Sequence, residues 1–189
     1  MRFAVVGHVE WVEFVVVDRV PPQGTIAFSP EPSFPEPGGG GAVAAVQLRK
    51  LAGDEAAFLT SVGDDDNGRR VVEGLRGHDV DVHAAVFVGP QRRAFTHLDA
   101  EHERTITVIG ERHAPSGADD LPWEALAACE AIYFTGGDAE ALRACRAARY
   151  VVATPRALDV LVEAGVELDF LVPSAGDPDA QVDPGVPAR

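Results

Sequence analysis

From Ala131 onward the chain alternates short apolar runs with short helix-type segments, and that alternation constrains the fold more than any other feature of the 189 residues. Ala131 to Phe134, Tyr150 to Ala153 and Leu168 to Val172 read as strands. Ala139 to Ala148 and Arg156 to Ala164 read as helices between them. Strands joined through helices by short links predict right-handed crossovers and a parallel sheet covered on its faces. Phe3 to Val6 is an unbroken apolar run, suited to a strand buried on both sides.

The front half adds strands to this scheme. Trp11 to Val17 and Thr25 to Phe28 are strand-like, and the four prolines between Pro30 and Pro37 exclude helix and allow at most an irregular edge. Four glycines, Gly38 to Gly41, open a helix over Ala42 to Leu51 that Gly53 closes. Ala56 to Val62 and Val80 to Val88 predict strands on either side of a helix over Arg69 to Leu75. Arg93 to Leu98 and Thr105 to Ile109 predict a hairpin turned by Asp99 to Glu103, and Pro122 to Ala128 a short helix. Strands inserted between the first strand and the first helix suit a lid over a cleft. The expected organisation is one α/β domain over residues 1–175, with lid strands near 11–34 and 92–109, and an irregular tail over 176–189.

Apolar residues make up 46% of the chain and charged residues 24%, a globular balance. Nothing approaches the apolar run of ~20 residues that spans a bilayer. A formal net charge of −14 repels nucleic-acid phosphates, which argues against DNA or RNA as partner and leaves room only for a small anion at a locally basic spot. Cys129 and Cys145 lack metal-site spacing and read as reduced core thiols, which implies the cytoplasm. Asp64, Asp65 and Asp66 precede a helix and suit N-capping better than metal binding.

The tetraglycine has the most chemistry to offer. Glycines let a ligand approach the backbone, and a helix N-terminus presents unpaired N–H groups. A flexible linker is the bland alternative. A dinucleotide fingerprint fits poorly, because the glycines are contiguous and a proline-rich excursion separates them from the first strand.

The order of motifs resembles the ribokinase-like, or PfkB, carbohydrate kinases. The first strand ends in Gly7-His8-Val9-Glu10. Gly39-Gly40-Gly41 leads a small-residue helix ending Leu51-Ala52-Gly53, and Ser61-Val62-Gly63-Asp64-Asp65 follows with Gly68. The hairpin residues Glu103-Arg104-Thr105-Ile106 and the strand–helix alternation to Val172 complete the likeness, which runs over residues 1–175. It implies a three-layer sandwich with a mostly parallel sheet and a small β lid. It also implies ATP- and Mg2+-dependent phosphorylation of a sugar or nucleoside hydroxyl, which needs a base and oriented donors for the moving phosphoryl group.

The family's Asp-Thr-x-Gly-Ala-Gly-Asp motif, with its anion hole and catalytic aspartate, does not occur in these residues. The chain is therefore expected to lack the C-terminal part and to be inactive alone. No catalytic residue and no metal ligand is assigned to it. A non-catalytic small-molecule-binding or interaction module derived from the same fold is the alternative.

The likeness implies a substrate site at Glu10, Val12, Gly39, Gly40, Gly41, Ala44, Arg93 and Asp138. Family members often carry Asp at the position of Val12, Lys at Gly41 and Asn at Ala44, and these polar contacts are missing. Glu10 shares the strand face of Val12 and can replace the lost carboxylate. Arg92, Arg93, Arg104 and Arg112 lie on or near the hairpin and can clamp an anionic substrate. Asp138 ends a Thr135-Gly136-Gly137-Asp138 turn in the part of the pattern that faces the substrate. Ser174 and Asp177 stand where the family has Asn-x-x-Glu for magnesium and phosphate, or form a solvated turn. A homodimer through the lid or an exposed sheet edge is the expected association. The sheet edge is Leu168 to Val172, whose usual neighbours come later in the family.

Overall fold

The computed structural model describes residues 2–53, 56–174, 176, 180 and 181. Six parallel strands form the main sheet: β1 (Phe3–Val6), β4 (Ala56–Gly63), β5 (Asp81–Phe87), β8 (Ala131–Phe134), β9 (Tyr150–Ala153) and β10 (Phe170–Leu171), in the order β10-β9-β8-β1-β4-β5. Strand β1 sits in the middle, between β4 and β8, with Val5 opposite Phe58 and Tyr133. Alternate side chains of β1 serve two cores, as the pleat requires. Ala4 and Val6 join Leu59, Ile132 and Phe134 beneath α3 (Ala139–Cys145) and α4 (Leu158–Ala164). Val5 joins Phe58, Val62, Val71 and Leu75 beneath α1 (Gly40–Ala52) and α2 (Asp66–Gly77). The result is a ribokinase-like three-layer α/β fold.

A second sheet lies over the C-terminal ends of these strands. It contains β2 (Glu10–Val16), β3 (Phe34–Gly38), β6 (Arg93–Leu98) and β7 (Arg104–Ile109), in the order β3-β2-β6-β7. The pair β2–β6 is parallel, whereas β3 and β7 run antiparallel to their neighbours. Gln91 ties the two sheets together. Its buried amide donates to the Val9 carbonyl at 2.8 Å and accepts from the Gly63 N–H at 3.0 Å.

Three local expectations change. Thr25 to Phe28 forms no strand, and Ile26 and Phe28 are 84% and 86% exposed. The strand forms instead at Phe34–Gly38, through two prolines. Pro35 and Pro37 are two residues apart, opposite Glu13 and Trp11, so both occupy equivalent positions on an edge strand that pairs only with β2. Helix Arg156 to Ala164 begins as a 3-10 turn (Pro155–Ala157) before α4, and Pro122 to Ala128 is a 3-10 segment over Trp123–Ala128. The last strand shortens to Phe170–Leu171 and forms one edge of the sheet among the described residues.

The acidic triplet serves the backbone. Asp65 caps α2 by accepting from Gly68 N–H at 2.9 Å, Asp64 accepts from Gly89 N–H at 3.0 Å, and Asp66 pairs with Arg69.

Candidate functional site

Ligands of parallel α/β sheets bind beyond the carboxyl ends of the strands, and the described residues form a cavity of about 500 Å3 there. Its floor is Gly38, Gly39 and Gly40, where β3 turns into α1. Its roof is the lid, through Val12 and Phe14 of β2, Ala94 and Thr96 of β6, and Arg104 and Ile106 of β7. Val43 and Ala44 from α1, with Tyr133 and Arg156 from the main sheet, close the sides. Gly39 adopts φ +84°, and a Cβ there would press on the His8 ring and the Glu10 side chain at 3.2–3.3 Å. The backbone therefore needs glycine at this point. No side chain caps α1, and its first turn holds no acidic residue, so its N–H groups face the cavity floor unneutralised.

A network of charge surrounds the floor. Glu10 is 8% exposed, and its Oε1 lies 2.8 Å from Arg92 Nε. The Arg92 Nε–H is not aligned on it as a hydrogen bond, so the contact is an ion pair. His8 Nε2 lies 3.7 Å from the same oxygen, and His8 Nδ1 is 3.0 Å from Arg112 Nη2, which also donates to the Thr135 carbonyl at 2.9 Å. Burial, followed by Arg112, Arg92 and Arg156, lowers the His8 pKa from 6.5 to about 3. The ring is therefore neutral, and Nδ1 accepts from Arg112. Burial and the neighbouring Arg92 and Arg156 also lower the Arg112 pKa, against the pull of Glu10. A smaller recess of about 310 Å3 adjoins the cavity. It shares Gly40, Tyr133 and Arg156 and adds His8, Arg112, Thr135, Thr154 and Ser174. Another recess, of about 420 Å3 beside α2 and β5, is lined by Val62, Asp64, Arg69, Glu73, Arg76 and Val86, so two carboxylates face its two arginines.

Five of the eight expected substrate residues line the main cavity: Glu10, Val12, Gly39, Gly40 and Ala44. Gly41 lies behind the floor, where an added Cβ would meet the His8 carbonyl at 2.6 Å and the Phe58 ring at 2.9 Å; its role is close packing of α1 on β1 and β4. Arg93 faces away, in a recess with Trp11, Glu13 and Phe95, because neighbouring residues of a strand point to opposite faces. Asp138 caps α3. It accepts from Ala141 N–H at 2.8 Å, Gly117 N–H at 2.9 Å and the Ser116 hydroxyl at 2.5 Å. Burial raises its pKa, but these donors outweigh burial and hold the carboxyl below its ordinary value. Ser174 sits in the adjoining recess with its N–H on the Ala180 carbonyl, and Asp177 lies outside the described residues.

Sequence reasoning passed over His8, Tyr133, Thr96 and Arg156. Three of them carry a signal that was available: His8 follows β1 by two residues, Arg156 follows β9 by three, and Tyr133 is the penultimate residue of β8. Residues at the carboxyl ends of parallel strands are the ones a cleft collects. Thr96 becomes visible only in three dimensions. It lines the cavity, and its buried hydroxyl has no partner among the described residues.

The model of the pfkB family carbohydrate kinases matches residues 12–161. Fructokinase-1 of Zea mays is 30% identical over 161 residues, covering 82% of this chain and 48% of the relative. The chain thus spans about half the length of the curated relatives it matches. Ribokinase from Thermotoga maritima superposes with a TM-score of 0.68 at 22% identity, covering 90% of this chain and 58% of that one. Ribokinase of Arabidopsis thaliana, solved with ribose and ATP, superposes at 0.59 and 21% identity over 80% of this chain and 52% of its own. With a glycine floor beneath a β lid and a family match over most of its length, this chain belongs to the pfkB family of carbohydrate kinases.

Proposed function

We propose that this chain supplies the sugar-binding half of a kinase that transfers a phosphoryl group from ATP, with Mg2+, to a hydroxyl of a sugar or nucleoside. The observation that carries this is the covered cavity over Gly39 and Gly40, with main-chain amides below and lid strands above. Glu10 and the Thr96 and Tyr133 hydroxyls are the groups available to substrate hydroxyls. Burial raises the Tyr133 pKa, so it stays a neutral donor.

ATP supplies the phosphoryl group, and its cation neutralises the transferred charge. The described residues do not make up that end of the site. No three His, Cys, Asp or Glu side chains among them converge as a metal site, and only Ser174 of the Ser174–Asp177 pair is described. No step is therefore assigned to this chain beyond binding and orienting the sugar and excluding water above it. The protein is assigned to the cytoplasm, a reading supported by the buried free thiols of Cys129 and Cys145. Burial pushes the Cys145 thiol up to about 12.

Thermal shift of the 189-residue chain with a panel of pentoses, hexoses and nucleosides tests this reading. At least one should raise the midpoint, and ATP with Mg2+ should give no ADP. Gly40→Val should abolish the sugar-dependent shift without lowering the midpoint of the unliganded chain. A Cβ at Gly40 meets only the His8 ring, at 3.7 Å, while the larger side chain fills the floor. A chain that none of the panel stabilises, or a Gly40→Val variant that still responds, would sink the reading. Phosphate transfer by the purified chain would refute its inactivity.

A further inference from the structure

Resting on the kinase reading above, we propose that the substrate is an acidic sugar, a monosaccharide carrying a phosphate or a carboxylate, held through that group by Arg104 and Arg156 with Arg112 beside them. The whole chain carries a net charge of −14, yet its cleft is basic. Arg104 and Arg156 line the main cavity, Arg156 and Arg112 the adjoining recess, and Arg92 stands behind Glu10. Among the described residues, two carboxylates stand against these four guanidinium groups. Glu10 is engaged by Arg92, and Asp159 borders an outer recess that it shares with Arg112 and Arg156. Among the described residues the surplus is positive. His8 adds no charge of its own, because burial, and after it Arg112, Arg92 and Arg156, keep the ring neutral.

Like charges gathered in a half-buried cleft repel one another, and a bound anion relieves that repulsion. The guanidinium fork matches the oxygens of phosphate and carboxylate in pairs. The three arginines also come from three separate elements. Arg104 is on β7 of the lid, Arg112 follows β7, and Arg156 follows β9 of the main sheet. An anion among them would pull the lid toward the sheet. Beyond Glu10, Thr96, Tyr133 and the glycine floor, the walls Val12, Phe14, Val43, Ala44, Ala94 and Ile106 are apolar and offer a neutral polyol no further hydrogen-bond partners.

Calorimetric titration of the 189-residue chain with D-fructose, D-fructose 6-phosphate, D-gluconate and inorganic phosphate, at low and high salt, tests the proposal. One of the two acidic sugars should bind about tenfold or more tightly than D-fructose, and its affinity should fall with salt. The winner identifies the group as phosphate or carboxylate. Arg104→Met and Arg156→Met, both at exposed positions, should each weaken that binding about tenfold and weaken D-fructose binding far less. D-fructose binding at least as tightly as both acidic sugars, or variants that bind the acidic sugar normally, would overturn the charge assignment and leave the sugar-kinase reading standing. Inorganic phosphate binding as tightly as the acidic sugars would also overturn it, since the anion alone would then account for the affinity. If none of the three sugars bound, the acidic-sugar assignment would go, and the kinase reading would stand or fall on the wider thermal-shift panel.

Discussion

At the residue scale, His8 decides how the cleft answers to pH. Its folded pKa of about 3 lies below the ordinary 6.5, so the unfolded chain takes up a proton that the folded one refuses. The associated stability is complete above pH 6.5 and is lost as pH falls toward 3. By pH 5 the loss is about 2 kcal/mol. His8→Asn keeps an acceptor for Arg112 and removes the titration. Urea denaturation at pH 7 and pH 5 should show a smaller difference for that variant than for the parent chain, and equal differences would contradict this account. Gly41 is a packing position. Gly41→Ala drives a Cβ into the His8 carbonyl and the Phe58 ring and should cost about 1–3 kcal/mol in the same assay.

At the scale of elements, α3 and the lid make separate predictions. Asp138 caps α3 and also fastens Ser116 and Gly117 to it, so Asp138→Ala removes both attachments. A loss of about 1–2 kcal/mol is expected in denaturant titrations, with sugar binding retained by the folded fraction. The lid has two faces. Arg93 lies on the one away from the cavity, so Arg93→Ala should leave sugar affinity within about twofold of the parent chain in calorimetric titration. A larger loss would show that the substrate, or the lid's movement over it, reaches the other face.

At the scale of the molecule, the main sheet is unequally protected. Strand β10 pairs only with β9 among the described residues, and Phe170 and Val172 are 59% and 50% exposed. Leu158 and Val162 of α4 are also exposed, at 54% and 76%. An apolar strand edge and exposed apolar helix positions are both pairing liabilities. The 189-residue chain should therefore self-associate in sedimentation velocity runs, and Phe170→Lys should shift it toward monomer. A parent chain that stays monomeric at high concentration would contradict this.

Strand–helix alternation, the glycine turn and the acidic cap were legible in the amino-acid order because each is a local preference. Ala131–Phe134 and Tyr150–Ala153 have the bounds that apolar pattern alone assigns them. Pattern misled where tertiary pairing outweighed propensity, as when the proline-bearing Phe34–Gly38 rather than Thr25 to Phe28 became the lid's edge strand. It grouped Arg92, Arg104 and Arg112 about the hairpin but did not join them to His8 and Arg156. His8, Arg92, Arg104, Arg112 and Arg156 are scattered over the chain, and only the carboxyl ends of β1 and β9, together with the lid, bring them to one cleft. Periodicity reports which face of an element is buried. Which side chains meet across elements depends on strand order and register, and those exist only once the sheet has formed.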